Sequence, residues 1–374
     1  MKNRDILILV ILILVSVFLV VFANNNYNFY KEDILKITEI EKKKSSSSTN
    51  SLGIKEDYYI QKITGVILNG KNKGKKISID NEVTTSNVVT EEYEVGDKLL
   101  IDYSKKIING LKRDNYVVLL VVIFVIAIYL IGKYRGLLSV FSVSVNSIIF
   151  YITLNLYLKG VNLLFLCMLE SIFFTIFSLL IVSGKNKKTL SAIYSVFISL
   201  IVLFIITISV VLITDYSGIS FNGMSYITVP VEDVFIAEVM LGGLGAIMDV
   251  CITMSSSISE LILKDPKITK KALIKSGKVI GNDIMGTMIN VLFFTYLCSG
   301  LPIFVLAVRN GFSVFNYIST NFTLEITRFL VGSIGIVISI FIGLYISIKV
   351  FKEGENNESS FISNFISFND FNRR

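Results

Sequence analysis

The sequence of 374 residues contains no histidine, and it has only three cysteines and three prolines. The absence of histidine excludes a Ser-His-Asp triad, a Cys-His pair, a histidine-ligated haem and an H-E-x-x-H zinc site. Cys167, Cys251 and Cys298 are far apart, so the sequence indicates neither a zinc site nor a disulfide framework, and we predict that all three are core residues. The scarcity of proline leaves long segments free to form unbroken helices.

Charged residues are also scarce, at 17% of the chain, against about 25% in soluble domains. Hydrophobic residues make up 53% and are concentrated in eight runs. Each run is near the roughly 20 residues that a helix needs to cross a bilayer. The runs are residues 6–23, 116–132, 136–158, 161–182, 189–213, 234–262, 283–308 and 325–348. This pattern predicts a polytopic α-helical membrane protein with eight transmembrane helices.

Basic residues are concentrated in alternate loops between these runs. The loops at 133–135, 184–188 and 264–278 are rich in lysine and arginine, whereas the facing loops carry only Lys159 and Arg309 as basic residues. By the positive-inside rule, we expect both termini to be cytoplasmic and residues 24–115 to lie on the other side of the membrane. The net charge of +7 is then explained by topology and not by a nucleic-acid-binding surface.

The amino-terminal run, residues 1–23 with its basic flank, is predicted to be a membrane anchor. It is longer than the roughly 7–15 apolar residues of a signal peptide, which favours an uncleaved helix. Val21 and Ala23 nevertheless form a tolerable cleavage site, so removal of this segment stays open as an alternative. Either interpretation exports the residues that follow.

Residues 24–115 are polar and are predicted to form a small extracytoplasmic domain. Apolar residues spaced three apart predict an amphipathic helix over 29–44, and the serine run at 45–51 predicts a flexible linker. From about residue 58 the pattern becomes β-rich. The predicted strands are 60–68, 75–80 and 97–103. After a bundle of seven helices over 116–348, the polar residues 349–374 are predicted to be a disordered cytoplasmic tail.

Polar and small residues recur every three or four positions along the sixth run, which places them on one face of a helix. This face, here called the polar stripe, consists of Glu238, Gly242, Gly245, Asp249, Thr253, Ser256 and Glu260. From end to end it spans about 33 Å, close to the thickness of the hydrocarbon core. Asp249 lies near its middle, where a carboxylate needs water, a cation or a proton, so we interpret it as a transport candidate.

Two alternatives to a transport route stay open for the polar stripe. Small residues such as Gly242 and Gly245 also occur simply because they let helices approach closely. Glu238 and Glu260 lie near the predicted interfaces, where a charge costs little. Thr253 and Ser256 are compatible with both interpretations.

The seventh run carries a second polar face, since Asp283 and Asn290 are seven residues apart. Asp283 is either a transport candidate or a charge at a helix amino terminus, where it would suit the helix dipole. We expect Asn290 to hydrogen-bond another helix, and Gly286 to let a neighbouring helix approach closely.

The eighth run begins with Glu325 and Arg328, whose spacing of three residues suits an ion pair. This pair is either a functional pair within the membrane or an interfacial one. Gly332 and Gly335 follow on the same face and predict a helix-packing seam. Glu170, in the fourth run, has no assignable partner in the sequence, although Arg328 is a candidate.

Several of these stretches resemble the pattern of the YibE/F-like family of bacterial integral membrane proteins. They are IGKYRGLLS (131–139), KKTLSA (187–192), GGLGAIMDVCITMSSSISEL (242–261), GNDIMGTMIN (281–290), GLP (300–302) and EITRFLVGSIGI (325–336). With the β-rich segment, the resemblance covers roughly residues 60–350. It implies the architecture above and a location in the plasma membrane of a bacterial cell, but no particular biochemical activity. Its recurrent motifs include Asp249, Glu260, Asp283, Asn290, Glu325 and Arg328.

Three functions are open at this point. A transporter or permease for an ion or small polar solute would use the carboxylates of the sixth and seventh runs, without ATP, since there is no Walker motif. A non-catalytic assembly protein would bind a partner through its exported domain, beside a second related membrane subunit or another copy of itself. An intramembrane aspartyl protease, the least supported of the three, would need Asp249 and Asp283 to share a water. We expect the lipid bilayer as a partner, and no nucleic acid, metal or cofactor.

Overall fold

A computed structural model of the chain describes residues 3–49, 53–87, 91–214 and 230–371. The helices are α1 (Asn3–Asn25), α2 (Asp114–Leu158), α3 (Leu163–Ser183), α4 (Lys187–Thr214), α5 (Val231–Lys264), α6 (Lys270–Arg309), α7 (Val314–Asn321) and α8 (Thr323–Phe371). The strands are β1 (Asp33–Thr49), β2 (Lys55–Ile67), β3 (Lys76–Thr84), β4 (Lys98–Asp102) and β5 (Ile107–Leu111). Two compact units result, residues 1–137 with 309–311, and residues 138–308 with 312–374.

The five strands of the first unit form one antiparallel sheet in the order β3-β2-β1-β4-β5. The outer strands β3 and β5 also contact one another, so the sheet curls into a half-barrel. Its core is almost entirely aliphatic and consists of Leu35, Ile37, Ile63, Ile67, Ile79, Leu99 and Ile101, with Tyr93. The predicted strands 60–68, 75–80 and 97–103 are confirmed as parts of β2, β3 and β4.

The amphipathic helix predicted over 29–44 is wrong, because residues 33–44 form the first part of β1. The error has a physical cause in a β-bulge between Ile37 and Glu39. A bulge inserts one extra residue, so the inward-facing Ile37 and Ile40 are three positions apart and not two. That spacing imitates the period of a helix. Only the residues Tyr27–Phe29 before the strand form a short helical turn.

The flexible serine linker predicted at 45–51 is also wrong over the part that the structure describes. Ser46, Ser47 and Ser48 pair in register with Tyr58, Asp57 and Glu56 of β2. Serine has no strong intrinsic strand preference, but its backbone groups are satisfied by the ladder that β2 supplies. Residues 50 and 51 lie outside the described residues.

A buried lysine joins the half-barrel to the ends of α1 and α2. The side chain of Lys112 is 1% exposed, and its Nζ donates to the carbonyl oxygen of Ala23 at 2.6 Å and to Asp114 Oδ1 at 2.6 Å. Burial, followed by the hydrogen bond and charge of Asp114, raises the pKa of Tyr30 beside this pair to about 12. Ala23 ends the apolar part of α1 and Asp114 begins α2, so one ammonium group holds both helices.

A second contact joins α1 to α2 at the opposite end of α1. Tyr129 is 2% exposed, and its hydroxyl donates to the carbonyl oxygen of Asp5 at 3.0 Å. The carboxylate of Asp5 also lies 3.3 Å from Lys133 Nζ. Along α1, Asp5 and Ala23 are about 27 Å apart, which is close to the thickness of a hydrocarbon core. The two helices therefore form an antiparallel hairpin into which the half-barrel is inserted.

Among the described residues, seven helices are long and apolar enough to cross a membrane, by length and composition only. Eight apolar runs give seven such helices because the predicted runs 116–132 and 136–158 both lie in α2. The helical backbone of α2 is interrupted at Lys133, where φ is 50° and ψ is −130°. This break falls in the basic loop predicted at 133–135.

The second unit, here called the helical unit, is built around α5, which packs on α3, α4 and α8. Buried serines on α4 form a seam in this core that the sequence analysis missed. Ser195 and Ser199 each donate to the carbonyl oxygen four residues earlier, at 2.8 and 2.7 Å, and Ser191 reaches Ser347 of α8 at 3.2 Å. The four-residue spacing of these serines was the available signal. Because the hydroxyls satisfy one another and their own helix, the seam serves packing.

Three further predictions differ from the structure. The disordered tail over 349–374 is wrong as far as Phe371, since α8 continues to that residue, and this segment has no proline to stop it. Residues 372–374 lie outside the described residues. Cys167 and Cys251 are buried, but Cys298 is exposed and is not a core residue. The helix of the seventh run begins at Lys270, well before residue 283.

Candidate functional site

The polar stripe predicted on the sixth run lies on one face of α5, and this is the exposed face. Asp249 is two residues from the fully buried Ile247, which is about 200° around the helix. Asp249 makes no side-chain hydrogen bond or ion pair with any described residue. The other members of the stripe are exposed (Gly242, Gly245 and Glu260) or half-buried (Glu238, Thr253 and Ser256).

One end of the stripe enters a cluster of charges between α5 and α8. Arg328 is 9% exposed, and its Nη2 lies 2.8 Å from Glu238 Oε2. Its Nη1 lies 3.4 Å from Glu325 Oε2, which confirms the pair predicted from their spacing. We call Glu238, Arg328 and Glu325 the charged cluster. Two carboxylates share one guanidinium, so the cluster carries a formal charge of −1 when all three groups are ionised.

A third helix reaches the charged cluster through Tyr296 of α6. The buried hydroxyl of Tyr296 has no hydrogen-bond partner among the described residues, although it lies within electrostatic reach of all three charged groups. It is seated over Gly242, one turn beyond Glu238, where a Cβ atom would collide with the Tyr296 hydroxyl. The glycine is therefore needed for α6 to bring a polar group beside the cluster.

We predict that Gly242→Ala lowers the thermal stability of the purified protein, because the new methyl group displaces the ring of Tyr296. The matched control is Gly245→Ala, one turn further along α5, where a Cβ atom meets nothing within 4 Å. That change should be neutral or should stabilise by up to about 1 kcal/mol, because alanine is the better helix former. Adding Tyr296→Phe should restore the melting temperature of the Gly242→Ala protein, because it removes the hydroxyl that the new methyl group meets. Equal melting temperatures for the two alanine variants would show that the contact is unimportant.

The predicted polar face of the seventh run lies away from the cluster. Asp283 and Asn290 are exposed, and each is two residues from a buried residue of α6, Gly281 and Leu292. They lie about 200° around the helix from the side that packs. Asp283 is also far inside α6, which begins at Lys270, so the alternative of a charge at the helix amino terminus is wrong.

The aspartyl protease interpretation has no geometric support, because Asp283 points away from the helices that α6 packs on and forms no pair with Asp249. Among the described residues, no group of three or more Cys, Asp or Glu side chains is placed to hold a metal ion. Among the described residues of the helical unit, the charged cluster is therefore the strongest candidate for a functional site.

The predicted packing glycines divide into two groups. A Cβ atom at Gly332 would press on Leu292, and one at Gly335 on Leu203, so both positions are closed by neighbouring helices. Gly245 and Gly286 face open space. The open pair lies on the same helix faces as Asp249 and Asp283.

Glu170 of α3 is 1% exposed, and its Oε1 has no hydrogen-bond partner among the described residues. Arg328, the partner considered from the sequence, is instead paired with Glu238 and Glu325. Sequence reasoning missed the pairing of Glu238 with Arg328, because these residues are 90 positions apart and on different helices. Only the recurrence of opposite charges near the ends of two apolar runs pointed towards it.

Comparison with known proteins identifies the family. No curated protein and no solved structure matches the chain. Two family models do match, one described as YibE/F-like protein over residues 120–353 and one described as the YibE/F family N-terminal domain over residues 28–112. The first covers the helices from α2 to α8 and the second covers the half-barrel, so together they span most of the described architecture. The chain belongs to the YibE/F family.

Proposed function

We propose that the protein is a membrane transporter that moves a proton or another cation, with the charged cluster as its ion-handling site. The observation that supports this is the shared guanidinium: Arg328 is buried between Glu238 and Glu325, which leaves one carboxylate in excess. An ionised carboxylate within a membrane needs a cation, a proton or water. Glu238 is the best placed to exchange one, since its side chain remains 40% exposed at the end of the polar stripe.

The proposed topology has eight membrane crossings in a bacterial plasma membrane. The helix α2 supplies two of them, because its 45 residues extend to about 68 Å, more than twice the hydrocarbon core. The half-barrel would lie outside and both termini inside, since the basic loops alternate with loops that carry only Lys159 and Arg309 as basic residues. In this topology the charged cluster lies towards the outer face and the polar stripe leads from it across the membrane.

The transport proposal is tested by ion flux into proteoliposomes. Purified wild-type protein should carry protons or alkali cations down an imposed gradient, measured with a pH-sensitive dye and with isotopes. Glu238→Gln should remove most of this flux, because an amide neither takes up a proton nor neutralises a cation. Asp249→Asn should also slow it, because Asp249 lies on the stripe that would form the route.

The matched control for both variants is Glu232→Gln, in the first turn of the same helix, which should leave the flux unchanged. Full flux in folded Glu238→Gln and Asp249→Asn proteins would refute a carboxylate-coupled mechanism. The absence of flux in the wild-type protein would refute transport itself.

A second candidate function is membrane assembly, with another subunit or a second copy covering the exposed polar faces. It is favoured by Asp283 and Asn290, which would otherwise face lipid on the side of α6 that packs on no other helix. The same flux experiment separates the two functions, because an assembly protein would show no flux in any variant.

A further inference from the structure

A basic groove lies between α6 and α8, far along both helices from the charged cluster. It encloses about 300 Å³. Its walls are formed by Lys270, Ile274, Lys278, Phe341, Leu344, Tyr345, Ile348 and Lys349. The groove is at the end of the helical unit where α6 begins. Three of its lining residues, Lys270, Ile274 and Lys278, belong to the basic segment 264–278, which the positive-inside rule assigns to the cytoplasmic side.

The charges that line this groove are all positive. Lys278 comes from α6 and Lys349 from α8, and neither forms an ion pair or hydrogen bond with a described residue. Lys270 is the third cation, and no acidic side chain is among the lining residues. Lysines from two helices that face one space repel one another unless an anion lies between them.

The rest of the groove is apolar and open to the surroundings. Phe341 and Tyr345 are 56% and 70% exposed, whereas Leu344 and Ile348 are buried behind them. The helices meet closely here because Gly277 faces Leu344, where a Cβ atom would collide. From Phe341 to Lys349 is about 12 Å along α8. Because Gly277 faces Leu344, the next residue Lys278 lies level with Tyr345, and Lys349 lies one turn further towards the end where α6 begins. A ligand in this groove would therefore meet cations from both helices beside exposed apolar rings.

We propose that this groove binds an anionic phospholipid of the cytoplasmic leaflet. Its phosphate lies between Lys278 and Lys349, and an acyl chain runs along Phe341 and Tyr345. Basic pockets between membrane helices on the cytoplasmic side suit such headgroups, and long lysine side chains reach the interface while their stems cover apolar surface. A soluble anion would use the lysines but leave the apolar wall uncovered. The inference goes beyond transport and depends only on the membrane location.

The test compares lipids on the full-length protein purified in detergent. Micelles doped with phosphatidylglycerol should raise the melting temperature by several degrees, whereas phosphatidylcholine and inorganic phosphate should not. Native mass spectrometry should show phosphatidylglycerol retained in preference to phosphatidylcholine. The double variant Lys278→Gln, Lys349→Gln should lose both effects. The matched control is the double variant Lys271→Gln, Lys275→Gln, which changes two lysines of α6 that lie outside the groove. It should keep both the stabilisation by phosphatidylglycerol and its preferential retention.

Two outcomes of these measurements would overturn the proposal. Equal stabilisation of the double variant and the wild-type protein would show that the lipid binds elsewhere. Stabilisation by inorganic phosphate alone would identify a site for soluble anions. Should the double variant fail to fold, each single variant is measured by native mass spectrometry and should lose part of the phosphatidylglycerol preference. Unchanged preference in both single variants would also refute the assignment.

Discussion

Replacing Arg328 with methionine is expected to destabilise the helical unit by about 3–5 kcal/mol, the usual cost of removing one partner from a buried ion pair. The side chain is 9% exposed and sits between Glu238 at 2.8 Å and Glu325 at 3.4 Å. Without the guanidinium, two carboxylates would face each other across the contact of α5 and α8 with no cation. The measurement is the melting temperature of the purified protein in detergent.

Two companion variants show whether charge is the cause of this loss. Arg328→Lys keeps the positive charge and should lose less stability than Arg328→Met. Adding Glu238→Gln to Arg328→Met should recover part of the loss, because the second change removes one unpaired carboxylate. If the methionine and lysine variants had the same melting temperature, the role of this side chain would be packing and not charge pairing.

Replacing Lys112 with methionine should destabilise the first unit by about 3 kcal/mol, near the lower end of what a broken buried pair costs. Methionine fills a similar volume, so the loss reports the ammonium group, which binds Asp114 and the Ala23 carbonyl at 2.6 Å each. The end of α1 would then lack its hydrogen bond to the half-barrel, and the half-barrel would lack its ion pair with the start of α2. Hydrogen exchange of the full-length protein should then become faster in β4 and β5.

The control for this prediction is Lys105→Met, in the exposed turn between β4 and β5 of the same sheet. It should leave hydrogen exchange and melting unchanged. Exchange in the Lys112→Met protein that matched the Lys105→Met protein would show that α1 is held by other contacts.

The parts of the fold that could be predicted from the sequence are those set by local pattern. Long apolar runs predict the helices, and alternation of apolar residues predicts β2, β3 and β4. The polar stripe was predictable because seven residues on one helix need only the helical period to align them. The pair of Glu325 and Arg328 was predictable for the same reason.

The parts that could not be predicted depend on distant residues or on local irregularity. The bulge after Ile37 changes the spacing of inward-facing residues in β1 and gave the signature of a helix. The pairing of Glu238 with Arg328 depends on how α5 and α8 pack, which no local pattern encodes. The same is true of Asp249 and Asp283, since the sequence shows on which face of its helix each lies but not which face packs.

In the proposed mechanism, the protein moves a charged species through its helical unit by way of the charged cluster. The most direct test is electrical, with proteoliposomes adsorbed on a solid-supported membrane and exposed to jumps of pH, sodium or potassium. We expect a transient current for at least one of these jumps, reversed when the gradient is reversed and lost in the Glu238→Gln protein. A wild-type current no larger than that of protein-free vesicles for all three ions would contradict it.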